Sequence, residues 1–232
     1  RDRHTSPSGV QESSRSTASV VPRLHRCSIA ASHHAGAEGR DAHLGFVDAR
    51  LIDMRPFEAM GRRVLHEWAA WKLVEREFRD PYGAYFSRTF VESPGVVAIV
   101  AVDDRRRLVM VRQYRPALDN TLWEIPAGMR DVEGEHPLAC AMRELQEETG
   151  FVASEWSTIG RVAQSPGTSS SIAEVFLARG LQSGEASPQG PEERSSSLHL
   201  VDLDEAVQMV ERGEVINSLA IIGILRAAAL VA

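Results

Sequence analysis

Acidic side chains are concentrated in residues 128–151, which have the sequence GMRDVEGEHPLACAMRELQEETGF. On a helix, residues four apart lie on one face, so Glu144 and Glu148 stack with Glu147 beside them. Stacked carboxylates repel by roughly 0.2–0.5 kcal/mol per pair even on an exposed helix. Hard divalent cations such as Mg²⁺ prefer carboxylate oxygens and would relieve this repulsion. Spacing alone is equally compatible with a metal site and with a solvated acidic helix face.

The same residues predict a helix that begins near Pro137, because proline is tolerated in a first turn. Gly150 is expected to end it as a left-handed cap. Arg143 lies four residues before Glu147 and is placed to hold that carboxylate. The predicted buried stripe recurs at three- and four-residue steps and consists of Leu138, Ala141, Met142 and Leu145.

This stretch resembles the Nudix box. The family pattern is Gly, five residues, Glu, seven residues, Arg-Glu, apolar, any, Glu-Glu, any, Gly, apolar. Residues 143–151, RELQEETGF, match its second half, and Glu135 matches its first glutamate. Gly128 lies one residue too far upstream, with six residues between it and Glu135. We interpret the difference as a loop insertion that leaves the register of the helix carboxylates unchanged.

Other segments resemble the ADP-ribose pyrophosphatase branch of that family. They are VRQYRP at 111–116, WEIPAG at 123–128, and SPG at 165–167 followed by FLA at 176–178. The resemblance spans roughly residues 71–229. It implies an α/β (α+β) Nudix fold, in which a mixed β-sheet is sandwiched between helices and an antiparallel strand extension precedes it.

The resemblance also implies an activity. Relatives of this kind hydrolyse the pyrophosphate bond of ADP-ribose or a related nucleoside diphosphate sugar, giving AMP or another NMP and a sugar phosphate. The implied cofactor is Mg²⁺, with Mn²⁺ as an alternative, and the implied assembly is a homodimer. A Nudix hydrolase for another nucleotide sugar or a dinucleotide remains an alternative. A nucleotide-sugar sensor that has lost turnover is a second alternative, from a different functional class.

Metal ligands follow from the resemblance residue by residue. Glu144 and Glu148 are expected to be direct ligands, with the Ala127 carbonyl as a third. Glu147 is expected to be a ligand or a neighbour of one, while Arg143 orients the carboxylates.

The remaining site residues follow in the same way. Gly128, Glu135 and Gly150 are expected to be structural parts of the box. Arg112 and Arg115 are expected to bind substrate phosphates, although either is equally compatible with a structural ion pair. Glu124 is expected to contact the nucleoside or to assist the metal.

The catalytic base is less well defined. The branch usually has a glutamate four residues after the glycine of the SPG segment, and Ser171 occupies that position here. Serine is not a general base near neutral pH without help. We therefore expect the box glutamates, or water activated by the metal, to supply the base, with Glu174 as a second candidate.

Composition limits the other possibilities. The chain has 232 residues, 43% apolar and 25% charged, which is typical of a soluble globular protein. A net charge of −6 argues against nucleic-acid binding, and no run of 18 apolar residues predicts a membrane span. The two cysteines, Cys27 and Cys140, make no disulfide framework, which favours a reducing, cytoplasmic location.

The composition also suggests three segments. Residues 1–55 are rich in Ser, His, Gly, Ala and Arg and are expected to be disordered, with His33 and His34 solvated. This segment resembles a transit peptide but lacks a clear amphipathic helix. The absence of an initial Met is consistent with a fragment or a mis-assigned start. Residues 56–92 are expected to form the β extension and the dimer contact, and residues 93–232 the Nudix domain.

Within the third segment, hydrophobic patterns predict individual elements. A hairpin is expected from strands 96–102 and 108–113, with a turn between them. Further strands are expected at 159–163, 174–178 and 198–201, and helices at 202–210 and 217–229. The polar residues 182–197 are expected to form a mobile loop.

Overall fold

The computed structural model describes residues 56–231. Predictions for residues 1–55, including Cys27, His33 and His34, lie outside this range. The described chain begins with a three-stranded antiparallel sheet in the order β1-β2-β3. Its strands are β1 (Glu58–Trp68), β2 (Trp71–Arg79) and β3 (Tyr85–Glu92). The expected antiparallel extension is therefore confirmed, and its strands occupy residues 58–92.

A mixed four-stranded sheet forms the centre of the molecule, in the order β7-β4-β9-β8. Its strands are β4 (Val96–Ala101), β7 (Ala127–Met129), β8 (Phe151–Ala163) and β9 (Ile172–Ser183). β4 runs parallel to β9, whereas the other pairs are antiparallel. Residues 97–101 of β4 are fully buried, as a continuous apolar run predicts for a strand covered on both faces.

A second three-stranded sheet has the order β10-β5-β6. Its strands are β5 (Arg107–Arg115), β6 (Asn120–Glu124) and β10 (Ser197–Asp202). The predicted hairpin of 96–102 with 108–113 is wrong, because β4 and β5 belong to different sheets joined by an isolated bridge between Val102 and Leu108. β4 has no free edge for β5, since β7 and β9 pair with its two sides.

Helices cover both faces of the central sheet. On one face, α1 (Pro137–Thr149) packs Ala141 and Leu145 against alternate β4 residues, including Val97 and Ile99. On the other face, α3 (Leu203–Glu211) and α4 (Ser218–Leu230) pack against the intervening residues, including Val100. The expected arrangement of a mixed sheet between helices is confirmed.

The ends of α1 agree with the sequence. Pro137 is in the first turn, and Gly150 caps the helix with a φ of 73° while its N–H donates to the Gln146 carbonyl. The predicted buried stripe was wrong at one position, because Met142 is 46% exposed whereas Cys140 is fully buried. The buried arc of α1 extends from Cys140 through Leu145, and Met142 lies just beyond its edge.

The stretch predicted as a mobile loop at 182–197 is more ordered than expected. β9 continues to Ser183, and a one-turn helix, α2 (Gly190–Arg194), lies within the stretch. β8 and β9 are both longer than the strands predicted at 159–163 and 174–178. No helix within residues 56–231 is long and apolar enough to cross a lipid bilayer.

Candidate active site

The glutamate face of α1 lies against the short strand β7. A Cβ atom at Gly128 would collide with the carboxyl group of Glu144, so only glycine permits this close approach. Gly128 pairs with Val97, which pairs in turn with Glu174 on β9. Paired residues on neighbouring strands point to the same side, and Val97 packs with α1, so Glu174 lies on the α1 side of the sheet.

Arg143 ties three of the glutamates together. Its Nε and Nη2 donate to Glu135 at 3.1 and 3.0 Å, and Nη1 donates to Glu144 at 2.8 Å and to Glu147 at 3.1 Å. The hydrogen bonds to Glu135 are the main cause that raises the pKa of Arg143 and lowers that of Glu135. Arg143 therefore stays charged and fixes the directions of these carboxylates.

Glu148 has a different environment. The Ala127 N–H donates to its Oε2 at 3.2 Å. Burial, followed by the negative charges of Glu144 and Glu193, raises the pKa of Glu148 to about 8. Burial also raises the pKa of Glu144, although Arg143 opposes that shift. Burial thus disfavours the charged form of both carboxyl groups, and a cation beside them would favour it.

The donors at this position fit a hard divalent cation. Within residues 56–231, no three His, Cys, Asp or Glu side chains converge closely enough to hold an ion by themselves. The carboxyl groups of Glu144 and Glu148 nevertheless both lie against the Ala127–Gly128 backbone, and carboxylate oxygens are ligands that Mg²⁺ prefers. Glu147 is turned towards Arg143. The roles of these residues stay predictions.

The two arginines predicted to bind phosphate separate onto opposite faces of β5. Arg115 donates Nε to Glu124 at 2.9 Å and Nη2 at 2.6 Å. Arg112 alternates to the other face, where its guanidinium lies 5.1 Å from the ring centre of Trp123. The charge of Glu148 also acts on Arg115, so the structure brings Arg115 to the glutamates and does not bring Arg112 there.

Sequence reasoning missed Glu193. This residue lies on α2, and its charge raises the pKa values of Glu148, Glu144 and Arg115, so its carboxylate lies within electrostatic range of these groups. Its Oε2 accepts a hydrogen bond from the Gln189 N–H at 2.5 Å. Pro191 followed by two acidic residues is a typical first helical turn and could have predicted α2. No pattern in the sequence indicates that α2 packs against β5, within electrostatic range of the α1 glutamates.

The two residues considered for the base are engaged elsewhere. Arg130 Nη1 lies 3.3 Å from Glu174 Oε1, and the Ser171 hydroxyl donates to Gln164 Oε1 at 3.3 Å. The loop between β8 and β9, which contains Ser171, is joined to β3, because the Val91 N–H donates to the Thr168 carbonyl at 2.9 Å.

Comparisons with known proteins agree with this geometry. Residues 92–218 match the model of the NUDIX domain family. An ADP-ribose pyrophosphatase of Mycobacterium tuberculosis is 40% identical over 169 residues, 73% of this chain and 82% of the relative. An ADP-ribose pyrophosphatase of Bacillus subtilis is 38% identical over 60% of this chain and 74% of the relative.

A solved structure described as an ADP compounds hydrolase has the same fold. It superposes with a TM-score of 0.66 at 17% identity, covering 77% of this chain and 95% of the other. The resemblance drawn from residues 128–151 is thus confirmed by the matched domain, the relatives and the fold. The chain belongs to the Nudix family.

Proposed function

We propose that this protein hydrolyses the pyrophosphate bond of ADP-ribose or a related nucleoside diphosphate sugar in a Mg²⁺-dependent reaction. The products are AMP, or another NMP, and a sugar phosphate. The observation that carries the proposal is the meeting of Glu144 and Glu148 at the Ala127–Gly128 backbone, with Arg115 within electrostatic range of Glu148. The two ADP-ribose pyrophosphatase relatives support the choice of substrate class.

Nudix hydrolases generally use a divalent metal ion. In this proposal Glu144, Glu148 and the Ala127 carbonyl hold Mg²⁺, which Mn²⁺ can replace. When bound, the ion supplies charge neutralisation on the diphosphate and a lowered pKa for attacking water. Arg143 keeps Glu144 and Glu147 in place, while Glu135 holds Arg143 from the other side.

Arg115 is the proposed phosphate-binding residue on this chain. It is 41% exposed at its side chain, carries a fixed charge and lies near Glu148. A guanidinium recognises two phosphate oxygens at once, which suits a diphosphate. Arg112 is not included, because it lies on the other face of β5.

Glu193 is the proposed general base. Its half-buried carboxylate lies within electrostatic range of Glu144 and Glu148, and carboxylates serve as general bases when held within reach of the attacking water. Glu193→Gln is expected to lower kcat by roughly 10²-fold, the lower end of what a general base contributes. Glu192→Gln, in the same helical turn, is the matched control and should retain the wild-type rate. A wild-type rate in Glu193→Gln removes this residue from the mechanism.

The activity is tested by phosphate release coupled to a phosphatase, over a panel of nucleotide sugars and dinucleotides with Mg²⁺, Mn²⁺ or EDTA. Metal-dependent turnover that is fastest with ADP-ribose supports the proposal. Faster turnover of another nucleotide sugar or of a dinucleotide corrects the substrate.

The sensor alternative is favoured by one observation: the hydroxyl of Ser171, where the branch has a glutamate, is directed at Gln164. The same panel separates the two functions when calorimetric binding is measured beside turnover. Binding of ADP-ribose without release of phosphate under any metal condition identifies a sensor.

Assembly and location complete the proposal. The exposed apolar side chains of β1 support a homodimer formed through residues 56–92. The buried free thiol of Cys140 is compatible with the reducing cytoplasm. Light scattering of the purified chain tests the dimer, and a monomer would contradict it.

A further inference from the structure

Arg115 and Glu124 form an ion pair in which the two partners differ sharply in exposure. The side chain of Glu124 is 3% exposed, whereas that of Arg115 is 41% exposed. A substrate can therefore touch the guanidinium but not the carboxylate. This difference separates their roles, although both were predicted to contact substrate.

The two residues reach each other along one face of the second sheet. Glu124 pairs with Val111 across the strands, and Arg115 is four residues farther along β5, on the same face as Val111. The Arg115 side chain must therefore extend back along the strand, past Gln113, to meet the carboxylate. The ion pair therefore holds the guanidinium over the strand, whereas the side chain of an unpaired arginine at the strand end would be free to move.

The hydrogen bonds use one edge of the guanidinium. Nε and Nη2 donate to Oε1 and Oε2 of Glu124, which leaves the two N–H groups of Nη1 and the second of Nη2. Within residues 56–231, no other protein group accepts a hydrogen bond from Arg115. The remaining edge presents two parallel donors, the arrangement that matches two phosphate oxygens.

The location of Arg115 agrees with the site. After the hydrogen bonds to Glu124, the charges of Glu148 and Glu193 contribute to the raised pKa of Arg115, so its guanidinium lies within electrostatic range of these carboxylates. A diphosphate bound beside Glu144 and Glu148 would therefore come close to the free donors of Arg115.

We propose that Glu124 is a positioning residue: it grips one edge of Arg115 so that the other edge faces the diphosphate of the substrate. The inference rests on the proposed function and deepens it, because it assigns Glu124 no contact with substrate. A guanidinium fixed before binding loses less side-chain freedom when the substrate arrives. The contact to phosphate forms in the bound substrate, so its loss should appear mainly in KM.

The test compares Glu124→Gln, Arg115→Gln and the double variant by steady-state kinetics with ADP-ribose and Mg²⁺. Glu124→Gln is expected to raise KM roughly two- to tenfold with little change in kcat, because about 0.5–1.5 kcal/mol of side-chain ordering is no longer made in advance. Arg115→Gln is expected to raise KM roughly 10²-fold. The double variant should match Arg115→Gln alone, since Glu124 acts through that guanidinium.

Asp103→Asn is the matched control. Asp103 forms a comparable ion pair with Arg107 at the other end of β5, with Nη2 to Oδ2 at 2.7 Å, but lies outside the site. It should lower the melting temperature while leaving KM unchanged. A rise in KM equal to that of Glu124→Gln would attribute both effects to general loosening of β5 and overturn the proposal.

Two other results would overturn it. A wild-type KM in Glu124→Gln shows that Arg115 needs no positioning, and independent multiplication of the two effects in the double variant shows that Glu124 acts on its own. If Glu124→Gln loses its cooperative melting transition, Glu124→Asp is measured in its place, because it keeps the charge but moves the carboxylate away from Arg115. A wild-type KM in Glu124→Asp also refutes the proposal. Failure of the proposed function is distinguishable, because the wild-type chain would then cleave no ADP-ribose, whether or not calorimetry shows binding.

Discussion

The central sheet and the sheet of residues 58–92 both contain large apolar side chains, but these are buried in the central sheet and largely exposed in β1. Residues 97–101 of β4 are entirely buried, because α1 covers one face of the sheet and α3 and α4 cover the other. In β1, by contrast, every residue except the half-buried Gly61 is exposed. Among the strands β1 to β3, only Val74 is fully buried.

The two regions differ in which contacts hold their side chains in place. The carboxylates of α1 are positioned by a core that this chain completes itself, so their geometry follows from local packing. The apolar side chains of β1 have no such cover, and burial of apolar surface is worth roughly 25 cal/mol per Å². The large hydrophobic residues that β1 exposes are Met60, Val64, Leu65 and Trp68. A second surface would stabilise this sheet, whereas the packing that positions the α1 carboxylates is complete within this chain.

The sharpest test of that division is Glu144→Gln. We expect turnover to fall by roughly 10²- to 10³-fold, the range for losing one group that stabilises charge in the transition state. The melting temperature should stay close to wild type, because the shape is unchanged. Steady-state kinetics and calorimetric scanning measure both. Glu211→Gln, an exposed change on α3, is the control, and near-normal activity of Glu144→Gln would end the assignment of the metal site.

The extension is tested by Leu65→Glu, which places a charge on its exposed apolar strand; Leu65 is 42% exposed. We expect a dimer in the wild type to become a monomer in light scattering, because the new charge would be buried without a partner. Leu230→Glu, at the 58% exposed end of α4, should leave the assembly unchanged. An intact dimer in the Leu65 variant would move the interface away from β1.

The metal-free site should also leave a signature in stability. The pKa of Glu148 rises from about 4.5 when unfolded to about 8 when folded, so between these values the folded chain binds more protons. Stability in EDTA is therefore lost as the pH rises from about 4.5 to about 8. Each kcal/mol corresponds to roughly 2–4 °C in a domain of this size.

Mg²⁺ should restore the melting temperature more at pH 8 than at pH 5, since it favours the ionised carboxylates. Thermal scans of Glu148→Gln supply the control, in which the pH dependence should flatten. An identical slope in that variant would place the proton on another group.

The smallest effect is expected for Glu174→Gln. Glu174 pairs with Arg130 at 3.3 Å, and a pair of this kind contributes about 0–1 kcal/mol. We expect kcat within about twofold of wild type and a melting temperature within a few degrees. A tenfold or greater fall in kcat, under conditions where Glu193→Gln is unaffected, would return Glu174 to the mechanism in place of Glu193.

Local patterns predicted the glutamate helix well, because its start, end and acidic face depend on neighbours within a few residues. Pro137, Gly150 and the four-residue spacing of Glu144 and Glu148 each act over one helical turn. The prediction was wrong at Met142, which lies just outside the buried face of the helix, whereas Cys140 lies inside it.

Features set by distant contacts were harder to predict. The separation of Arg112 from Arg115 follows from strand alternation, but the choice of face depends on which sheet β5 joins. The hairpin expected between β4 and β5 was wrong because β7 and β9, encoded far along the chain, pair with β4. Glu193 was missed for the same reason, since α2 reaches the site only through the folded chain.

The additional residue in the loop before α1 has a practical consequence. A Cβ at Gly134 would meet no atom within 4 Å, so the loop is open to solvent there. The loop is anchored on both sides of Gly134: the Arg130 N–H donates to the Gly95 carbonyl, and Arg143 donates to Glu135. Length variation between these anchors is thus absorbed by an outward bend. A fluorophore or short affinity tag inserted beside Gly134 would report on binding without altering the machinery it observes.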